Sequence, residues 1–189
     1  SVSHTFTAGT YTVSANATDT AENTSAFSTQ TLQLTIDTTA PSTPIVTAPT
    51  NSTVTSNSKP VLSGTASDNT TISIYVDGSV LTTTNVSSEA WSFTPTVNLS
   101  EGSHTLYATA TDTANNTSVS SNVISFTVDT TAPAVPTITS PLGTISTSNT
   151  TISISGTSDA SVLVSVFANG SSIGTTNANE SGVWSVSHT

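Results

Sequence analysis

The sequence has very little charge, and almost none of it is positive. Its 189 residues include 11 acidic residues against a single Lys and no Arg, which gives a formal net charge of -10 at pH 7. Charged residues make up 6% of the chain, whereas they make up about a quarter of an ordinary globular protein. Nucleic acids and anionic membranes bind basic surfaces, so the composition predicts neither as a partner.

Cysteine, methionine and long apolar segments are also missing. Without cysteine the fold has no disulfides, so its stability must come from packing or from a bound metal. No apolar run reaches the roughly 20 residues that a membrane-spanning helix needs, and no signal peptide is present. We therefore expect no membrane insertion, and we expect the sequence to be an internal piece of a longer chain.

What the sequence does contain is internal repetition, which guides the fold more strongly than composition. The segment DTTAPSTP at 37–44 returns as DTTAPAVP at 129–136, 92 residues later. Two longer pairs repeat in the same way: ATDTAENTSAFS (17–28) with ATDTANNTSVSS (110–121), and LSGTASDNTTISIYVDGS (62–79) with ISGTSDASVLVSVFANGS (154–171). A repeat of this length is the size of a small domain, which indicates a tandem array.

The repeats divide the chain into one complete unit and two partial ones. We predict that residues 1–37 are the C-terminal strands of a partial unit, that 38–129 form a complete unit, and that 130–189 are the N-terminal strands of another partial unit. The segment SVSHT occurs at 1–5 and again at 185–189. The first and last units are therefore expected to be interrupted at equivalent positions of the repeat.

The side-chain pattern of the complete unit is that of β-strands. Apolar residues alternate with polar ones in three segments: Ile72, Ile74 and Val76; Leu106, Ala108 and Ala110; and Ile124, Phe126 and Val128. Turn signals separate the segments, and none has the 3.6-residue apolar period of a helix. The predicted fold is all-β, with a Greek-key immunoglobulin-like sandwich of about seven strands in each unit.

Aromatic and glycine positions predict how the core is built. Trp91 and Phe93 are expected to fill the space between the two sheets, and Trp184 repeats the position of Trp91. Gly64 and Gly156 lie inside predicted strands, where glycine is typical of a close backbone approach.

Taken together, these motifs resemble the bacterial immunoglobulin-like repeats of giant extracellular adhesins, including those exported by type I secretion. The resemblance covers the whole chain and is carried by DTTAP, SGTASDN, V-D-G, a single Trp, EGSHTLYATATDTANN and a closing VDTTAP. It implies end-to-end Ig-like sandwiches on a bacterial cell surface, stiffened by calcium between domains. The direct partners would be neighbouring repeats of the same chain, and a host surface or glycan would be bound only by a distal domain.

Seven of the 11 acids fall at predicted junctions between units. In the Ig-like topology the B–C and F–G loops face the preceding domain, and the last strand runs into the following linker. The first junction is predicted to contain Asp37, Asp68, Asn69, Asp112, Asn115 and Asn116. The second is predicted to pair Asp129 with Asp159, and Asp19, Glu22 and Asn23 are predicted to form an F–G loop that faces a further neighbour.

These clusters are predicted to be calcium sites. Carboxylates without counter-charges repel one another, and the repulsion grows as water is excluded. Ca²⁺ accepts about six to eight oxygen ligands in an irregular shell, which suits loop residues better than the octahedron that Mg²⁺ requires. Turn formation is the alternative, since Asp and Asn also hydrogen-bond to their own backbone. Asp77, Glu101 and Glu180 are predicted to be turn formers of that kind.

The sequence shows no catalytic constellation. It contains no G-x-S-x-G elbow, no phosphate loop and no dinucleotide fingerprint. His4, His104 and His188 have no Cys, His or carboxylate at ligand spacing, so all three are predicted to be exposed structural residues. We therefore expect no enzyme activity.

Three functions remain open. The first is a structural spacer, a stalk with calcium at its junctions. The second is a ligand-binding module for carbohydrate or a host surface. Such a module is expected to carry aromatic residues on exposed loops, and only 5% of the residues are aromatic. The third is a self-assembling filament in which 130–189 is completed by 1–37 of another chain, although the repeated SVSHT makes that pairing redundant by one segment.

Overall fold

The computed structural model describes residues 3–189, and all of its regular secondary structure is β-strand. Ser1 and Val2, which begin the first SVSHT segment, lie outside the described residues. Within the described part of the chain no helix is long and apolar enough to cross a membrane. The chain divides into two compact units, Ser1–Thr130 and Thr131–Thr189. The predicted all-β class is confirmed.

The first strands of the chain form an antiparallel hairpin. Strand β1 spans Gly9–Val13, strand β2 spans Leu32–Ile36, and the two pair along their whole length. Most side chains of both strands are exposed.

Eight strands follow and pack as a two-sheet sandwich. They are β3 (Ile45–Ala48), β4 (Thr53–Thr55), β5 (Leu62–Thr65), β6 (Thr71–Val76), β7 (Ser79–Asn85), β8 (Ala90–Phe93), β9 (Gly102–Thr111) and β10 (Ile124–Val128). One sheet has the order β3-β5-β8, and the other has the order β4-β10-β9-β6-β7. The count is eight because the first strand of the unit is split between the sheets: β3 pairs with β5, and β4 lies parallel to β10.

The core of this sandwich lies between its two sheets. The apolar residues predicted to alternate on β6, β9 and β10 are all between 0% and 8% exposed. Val46, Leu62 and Trp91 from the other sheet belong to the same buried cluster, and Phe93 packs against it while partly exposed. The predicted period of two is therefore confirmed, since it separates core side chains from the Ser and Thr of the outer surface.

Gly64 allows the ring of Trp91 to lie against the backbone of β5. It pairs with Val46 on one side and with Trp91 on the other. A Cβ atom at this position would overlap the carbonyl oxygen of Ile45 and lie 2.6 Å from Cζ2 of Trp91. The predicted close approach is confirmed, and Gly156 repeats it beneath Trp184.

Residues 131–189 repeat the first half of the sandwich. Their strands are β11 (Thr137–Ser140), β12 (Ile152–Thr157), β13 (Leu163–Ala168), β14 (Ser171–Asn177) and β15 (Val183–His188). They form one sheet of order β11-β12-β15 and a second sheet of β13-β14, around a core of Val164, Val166, Ala178, Trp184 and Val186. Local details repeat as well: Asp77-Gly78 and Asn169-Gly170 both turn with positive φ, as the Asp-Gly and Asn-Gly signals predict.

The prediction that His104 is exposed is wrong, whereas His4 and His188 are exposed as predicted. The side chain of His104 is only 5% exposed, and its Nδ1 lies 2.7 Å from Oδ2 of Asp77. Its Nε2 lies 2.9 Å from the carbonyl oxygen of Ser100. The contact between His104 and Asp77 could not be predicted from sequence spacing, because it depends on the antiparallel pairing of β6 with β9, which brings together residues that are far apart in the chain.

Candidate junction site

The loop between β9 and β10, the F–G loop, is organised around the carboxylate of Asp112. Its Oδ1 accepts hydrogen bonds from the backbone N–H groups of Ala114 (2.8 Å) and Asn116 (2.9 Å), and its Oδ2 accepts one from Nδ2 of Asn116 (2.9 Å). The Asn116 side chain contributes most to lowering the pKa of Asp112; desolvation opposes this, and the backbone N–H groups add to it. Asn115, at the tip, has a φ of 69°, a left-handed conformation that Asn adopts more readily than most residues.

The loop between β1 and β2 has the same geometry around Asp19. Its Oδ1 accepts hydrogen bonds from the N–H groups of Ala21 and Asn23, both at 2.9 Å, and its Oδ2 accepts one from Nδ2 of Asn23 at 2.9 Å. The hydrogen bond from the Asn23 side chain is the main cause that lowers the pKa of Asp19. Glu22 takes the tip position with a φ of 68°. Both F–G loops are thus built by the turn chemistry of Asp and Asn.

Asn116 also connects its loop to the end of the β1–β2 hairpin. Its Nδ2 donates to the backbone carbonyl oxygen of Asp37 at 3.1 Å. Asp37 begins the first DTTAP segment, and its own Oδ1 accepts a hydrogen bond from the N–H of Thr39 at 2.9 Å. The structure therefore brings Asp37, Asp112 and Asn116 together through the amide of Asn116.

Two other residues predicted at this junction serve their own domain. Oδ1 of Asp68 accepts a hydrogen bond from the N–H of Glu89 at 2.7 Å, which ties the B–C loop to the turn before β8. Asn69 has a φ of 60° and takes a turn conformation. Asn69 is therefore a turn residue, the alternative that the sequence left open, whereas the Asp68 carboxylate binds a backbone N–H 21 residues away in the chain.

At the other end of the complete unit, a glutamate holds the start of the second linker. The N–H of Asp129 donates to the carbonyl oxygen of Thr55 at 2.9 Å. The next residue, Thr130, donates its N–H to both carboxylate oxygens of Glu101 at 3.1 Å, and its hydroxyl donates to Oε1 of Glu101. Sequence reasoning assigned Glu101 to a local turn and missed this contact.

The signal that could have found Glu101 is the pairing of β9 with β10. These strands are antiparallel, and Gly102 lies opposite Val128. The residue that precedes β9 must therefore lie beside the residues that follow β10. An acid at position 101 is thus placed at the exit of the domain.

Asp159 holds the linker that enters its own unit. Within residues 131–189, its Oδ2 accepts a hydrogen bond from the N–H of Ala134 at 2.7 Å. Asp129 and Asp159 belong to different compact units, so their predicted pairing stays a prediction.

The residue types at the first junction fit a hard cation, but hydrogen bonds already use many of their oxygens. Among residues 3–189, no group of three or more His, Cys, Asp or Glu side chains is arranged to hold a metal ion. Asn116 presents Nδ2, not oxygen, to Asp37 and Asp112. A Ca²⁺ ion at this place would require the Asn116 amide to turn over, and most of its ligands would be backbone oxygens or water. Calcium binding by the predicted residues stays a prediction.

Comparison with known proteins locates the family resemblance in the complete unit. No curated protein matches the chain. Among solved structures, the chain is similar to the fibronectin(III)-like modules of CbhA from Clostridium thermocellum, with 21% identity over 45% of this chain and 94% of that chain and a TM-score of 0.38. The family model described as bacterial Ig-like domain matches residues 47–130. The matched residues form most of the sandwich between the two DTTAP linkers, so this part of the chain is similar to a bacterial Ig-like domain.

Proposed function

We propose that this chain is a spacer segment of a large adhesin on a bacterial surface, in which successive Ig-like domains hold a distal binding domain away from the cell. The bacterial Ig-like domain at residues 47–130 supports a structural module of an extracellular protein. A surface composed mainly of hydroxyl and amide groups, in a chain with a single Lys and no Arg, offers no basic patch to steer an anionic ligand, which suits a spacer. Both linkers carry two prolines and no glycine, a composition that stiffens a connection.

The observation that carries the proposal is the hydrogen bond between Asn116 and Asp37. It joins the F–G loop of the complete sandwich to Asp37, the last residue before the linker that leads into that sandwich. Rigidity at that point limits the angles that the preceding hairpin can adopt relative to the sandwich, which an extended stalk needs.

Replacing Asn116 with alanine is expected to loosen the hairpin from the sandwich. The variant loses the hydrogen bonds that the Asn116 side chain donates to Asp37 and Asp112. We expect ¹⁵N relaxation to show residues 9–36 reorienting faster than the sandwich, whereas in the original chain the two tumble together. Asn23→Ala is the matched control, because it removes the equivalent bond to Asp19 and no contact to Asp37.

An equal effect of Asn116→Ala and Asn23→Ala on hairpin motion would contradict the role given to Asn116. Independent tumbling of the hairpin in the original chain would contradict the spacer itself.

Calcium at the junctions is part of the proposal. Asp37, Asp112 and Asn116 would hold the ion at the first junction, with Asp68, Asn69 and Asn115 on the neighbouring loops. At the second junction the calcium ligands would be Asp129 and Asp159. At a further junction they would be Asp19, Glu22 and Asn23. An ion that binds only the aligned arrangement stabilises it by mass action. The acidic side chains would attract Ca²⁺, because the sequence has only one Lys and no Arg to neutralise them.

Small-angle X-ray scattering with calcium and then with chelator tests this part. If calcium locks the junctions, the maximum dimension falls on chelation, and Asp112→Asn abolishes the change. Superimposable profiles would remove calcium from the mechanism and leave hydrogen bonds and prolines to provide rigidity.

The self-assembling filament is the alternative function, and exposed apolar residues of the β1–β2 hairpin favour it. Val13 (38% exposed) and Leu32 (60% exposed) match positions that are buried in the complete unit. Light scattering tests this alternative, because a mass that rises with protein concentration would favour self-assembly.

A further inference from the structure

Two tyrosines are stacked on the outer surface of the complete sandwich. Tyr75 lies on β6 and Tyr107 lies on β9, directly opposite each other in the antiparallel pairing of these strands. Their ring centroids are 4.6 Å apart, and their planes are inclined by only 6°. Both tyrosines are partly exposed, whereas their neighbours along each strand are buried. The two rings therefore lie on the solvent side of the sheet.

The repeats of the chain do not keep this pair. The repeat of 62–79 at 154–171 places Phe167 at the position of Tyr75. The segment AGTYTVSANATD (8–19) corresponds to EGSHTLYATATD (101–112) and places Ser14 at the position of Tyr107. Phenylalanine keeps the aromatic ring but has no hydroxyl group. The paired phenol groups therefore distinguish the complete sandwich from the rest of the chain.

This pair is the part of the chain most open to one-electron oxidation. The sequence has no Cys and no Met, the residues whose sulfur is oxidised most readily. Trp91 and Trp184 are each only 3% exposed, because they lie in the cores. Tyr11, the third tyrosine, has the ring of Phe6 beside it, with 4.8 Å between ring centroids, and not a second phenol.

We propose that Tyr75 and Tyr107 form a modification site, at which a peroxidase with hydrogen peroxide joins the two rings as dityrosine. The oxidant removes one electron and one proton from each hydroxyl group, which leaves two phenoxyl radicals. A carbon–carbon bond then forms between a Cε atom of each ring. Each of these carbons passes its hydrogen to the oxygen of its own ring, which restores both phenols. One molecule of hydrogen peroxide takes up the two electrons and two protons and becomes two molecules of water.

The placement of the rings favours a bond within one chain. Because the rings are already adjacent, each radical meets its partner at an effective concentration far above that of any ring in another molecule. The net charge of -10 also opposes the close approach of two copies. Oxidation is therefore expected to cross-link single chains before it links one chain to another.

The cross-link reinforces the sheet at its centre. It joins β6 to β9, which are neighbours in the five-stranded sheet, through residues 32 positions apart in the chain. A bond of this kind restricts the unfolded chain as a disulfide does, in a sequence that has no cysteine. This covalent reinforcement does not depend on the spacer function proposed above.

Oxidation of the whole chain with a haem peroxidase and hydrogen peroxide tests the proposal. We expect dityrosine fluorescence in the monomer band of a denaturing gel and an intact mass lower by two hydrogen atoms. Cleavage before aspartate separates 68–76, which contains Tyr75, from 77–111, which contains Tyr107. After oxidation the two peptides should be recovered as one. The cross-linked monomer should also unfold at a higher urea concentration than the untreated chain.

Three conservative variants assign the fluorescence to its residues. Tyr75→Phe and Tyr107→Phe are each expected to abolish it in the monomer, because each keeps a ring in the stack and removes one phenol. Tyr11→Phe is the matched control and should leave the fluorescence and the joined peptide unchanged.

Two results would overturn the site: dityrosine found only in covalent dimers, or monomer fluorescence that persists in Tyr75→Phe. An unchanged or lower unfolding midpoint of the cross-linked monomer would overturn its stabilising role. Neither result bears on the spacer function, which the relaxation and scattering experiments test separately.

Discussion

Replacing Gly64 with alanine is expected to lower the free energy of unfolding of the complete sandwich by about 3 kcal/mol or more. The added methyl group would overlap the carbonyl oxygen of Ile45 and press on the indole ring of Trp91 at 2.6 Å. Neither neighbour can move easily, because Ile45 is part of a paired strand and Trp91 is 3% exposed within the core. Since small domains are stable by only about 5–15 kcal/mol, this loss is a large fraction of the total.

Urea unfolding followed by NMR measures this effect, because signals from the two units can be told apart. Gly78→Ala is the matched control: Gly78 has a φ of 79° and no atom within 4 Å of an added Cβ. That variant strains the backbone without a clash, at a cost of about 1–2 kcal/mol. A loss at Gly64 no larger than at Gly78 would mean that the Trp91 ring can move away, and the close approach would not be a requirement of the fold. Gly156→Ala repeats the test in residues 131–189, beneath Trp184.

The sheet and its core could be predicted from the sequence because they depend on local rules. Alternation of apolar and polar residues in β6, β9 and β10 follows directly from strand geometry, in which successive side chains point to opposite faces. The repeats of Gly64 and Trp91, as Gly156 and Trp184, support the separate predictions of a close backbone approach and of a core aromatic, whereas the contact between the two residues is visible only in the structure. The internal repeats therefore indicated which positions the fold requires, as an alignment of related sequences would have done.

The roles of the acidic residues could not be predicted in the same way, because they depend on register. Glu101 beside Gly102 reads as a turn, and its contact with Thr130 becomes visible only when β9 is aligned with β10. Asp77 beside Gly78 also reads as a turn, yet its carboxylate binds His104 and the N–H of Thr105. In each case the side chain serves a neighbouring strand and the backbone forms the turn. A composition rich in Asp and Asn does not distinguish these two uses.

Replacement of His104 is expected to remove a pH dependence of stability that the original chain shows. Both ring nitrogens of His104 face acceptors, the carboxylate of Asp77 and the carbonyl oxygen of Ser100. Only the doubly protonated ring donates to both. Burial opposes the charge, but these hydrogen bonds and the charge of Asp77 outweigh it and raise the pKa of His104 above its ordinary value.

The direction of the pH effect follows from linkage. Because the folded-state pKa of His104 is above the unfolded value of about 6.5, its contribution is complete below that value and is lost as the pH rises through the folded pKa. Desolvation acts against Asp77, yet hydrogen bonds from Thr105 and His104 lower its pKa. Its contribution is therefore present above about pH 4 and is lost as the pH falls further. The pair stabilises the sandwich most in the mildly acidic range between the two.

Unfolding free energies measured from about pH 5 to pH 9 test this account. We expect His104→Gln to cost on the order of 2 kcal/mol at pH 5, the value of a hydrogen bond to a charged group, and the cost to fall as the pH rises through the raised pKa of the ring. His4→Gln, at an exposed position, should keep the pH dependence of the original chain. A constant cost of His104→Gln at all pH values would show that the ring acts by packing against Phe126, whose ring centroid is 5.5 Å away, and that its charge contributes nothing. In a chain with one Lys and no Arg, a protonated histidine is one of very few cations that the fold can use, which is the physical reason to place it beside a carboxylate.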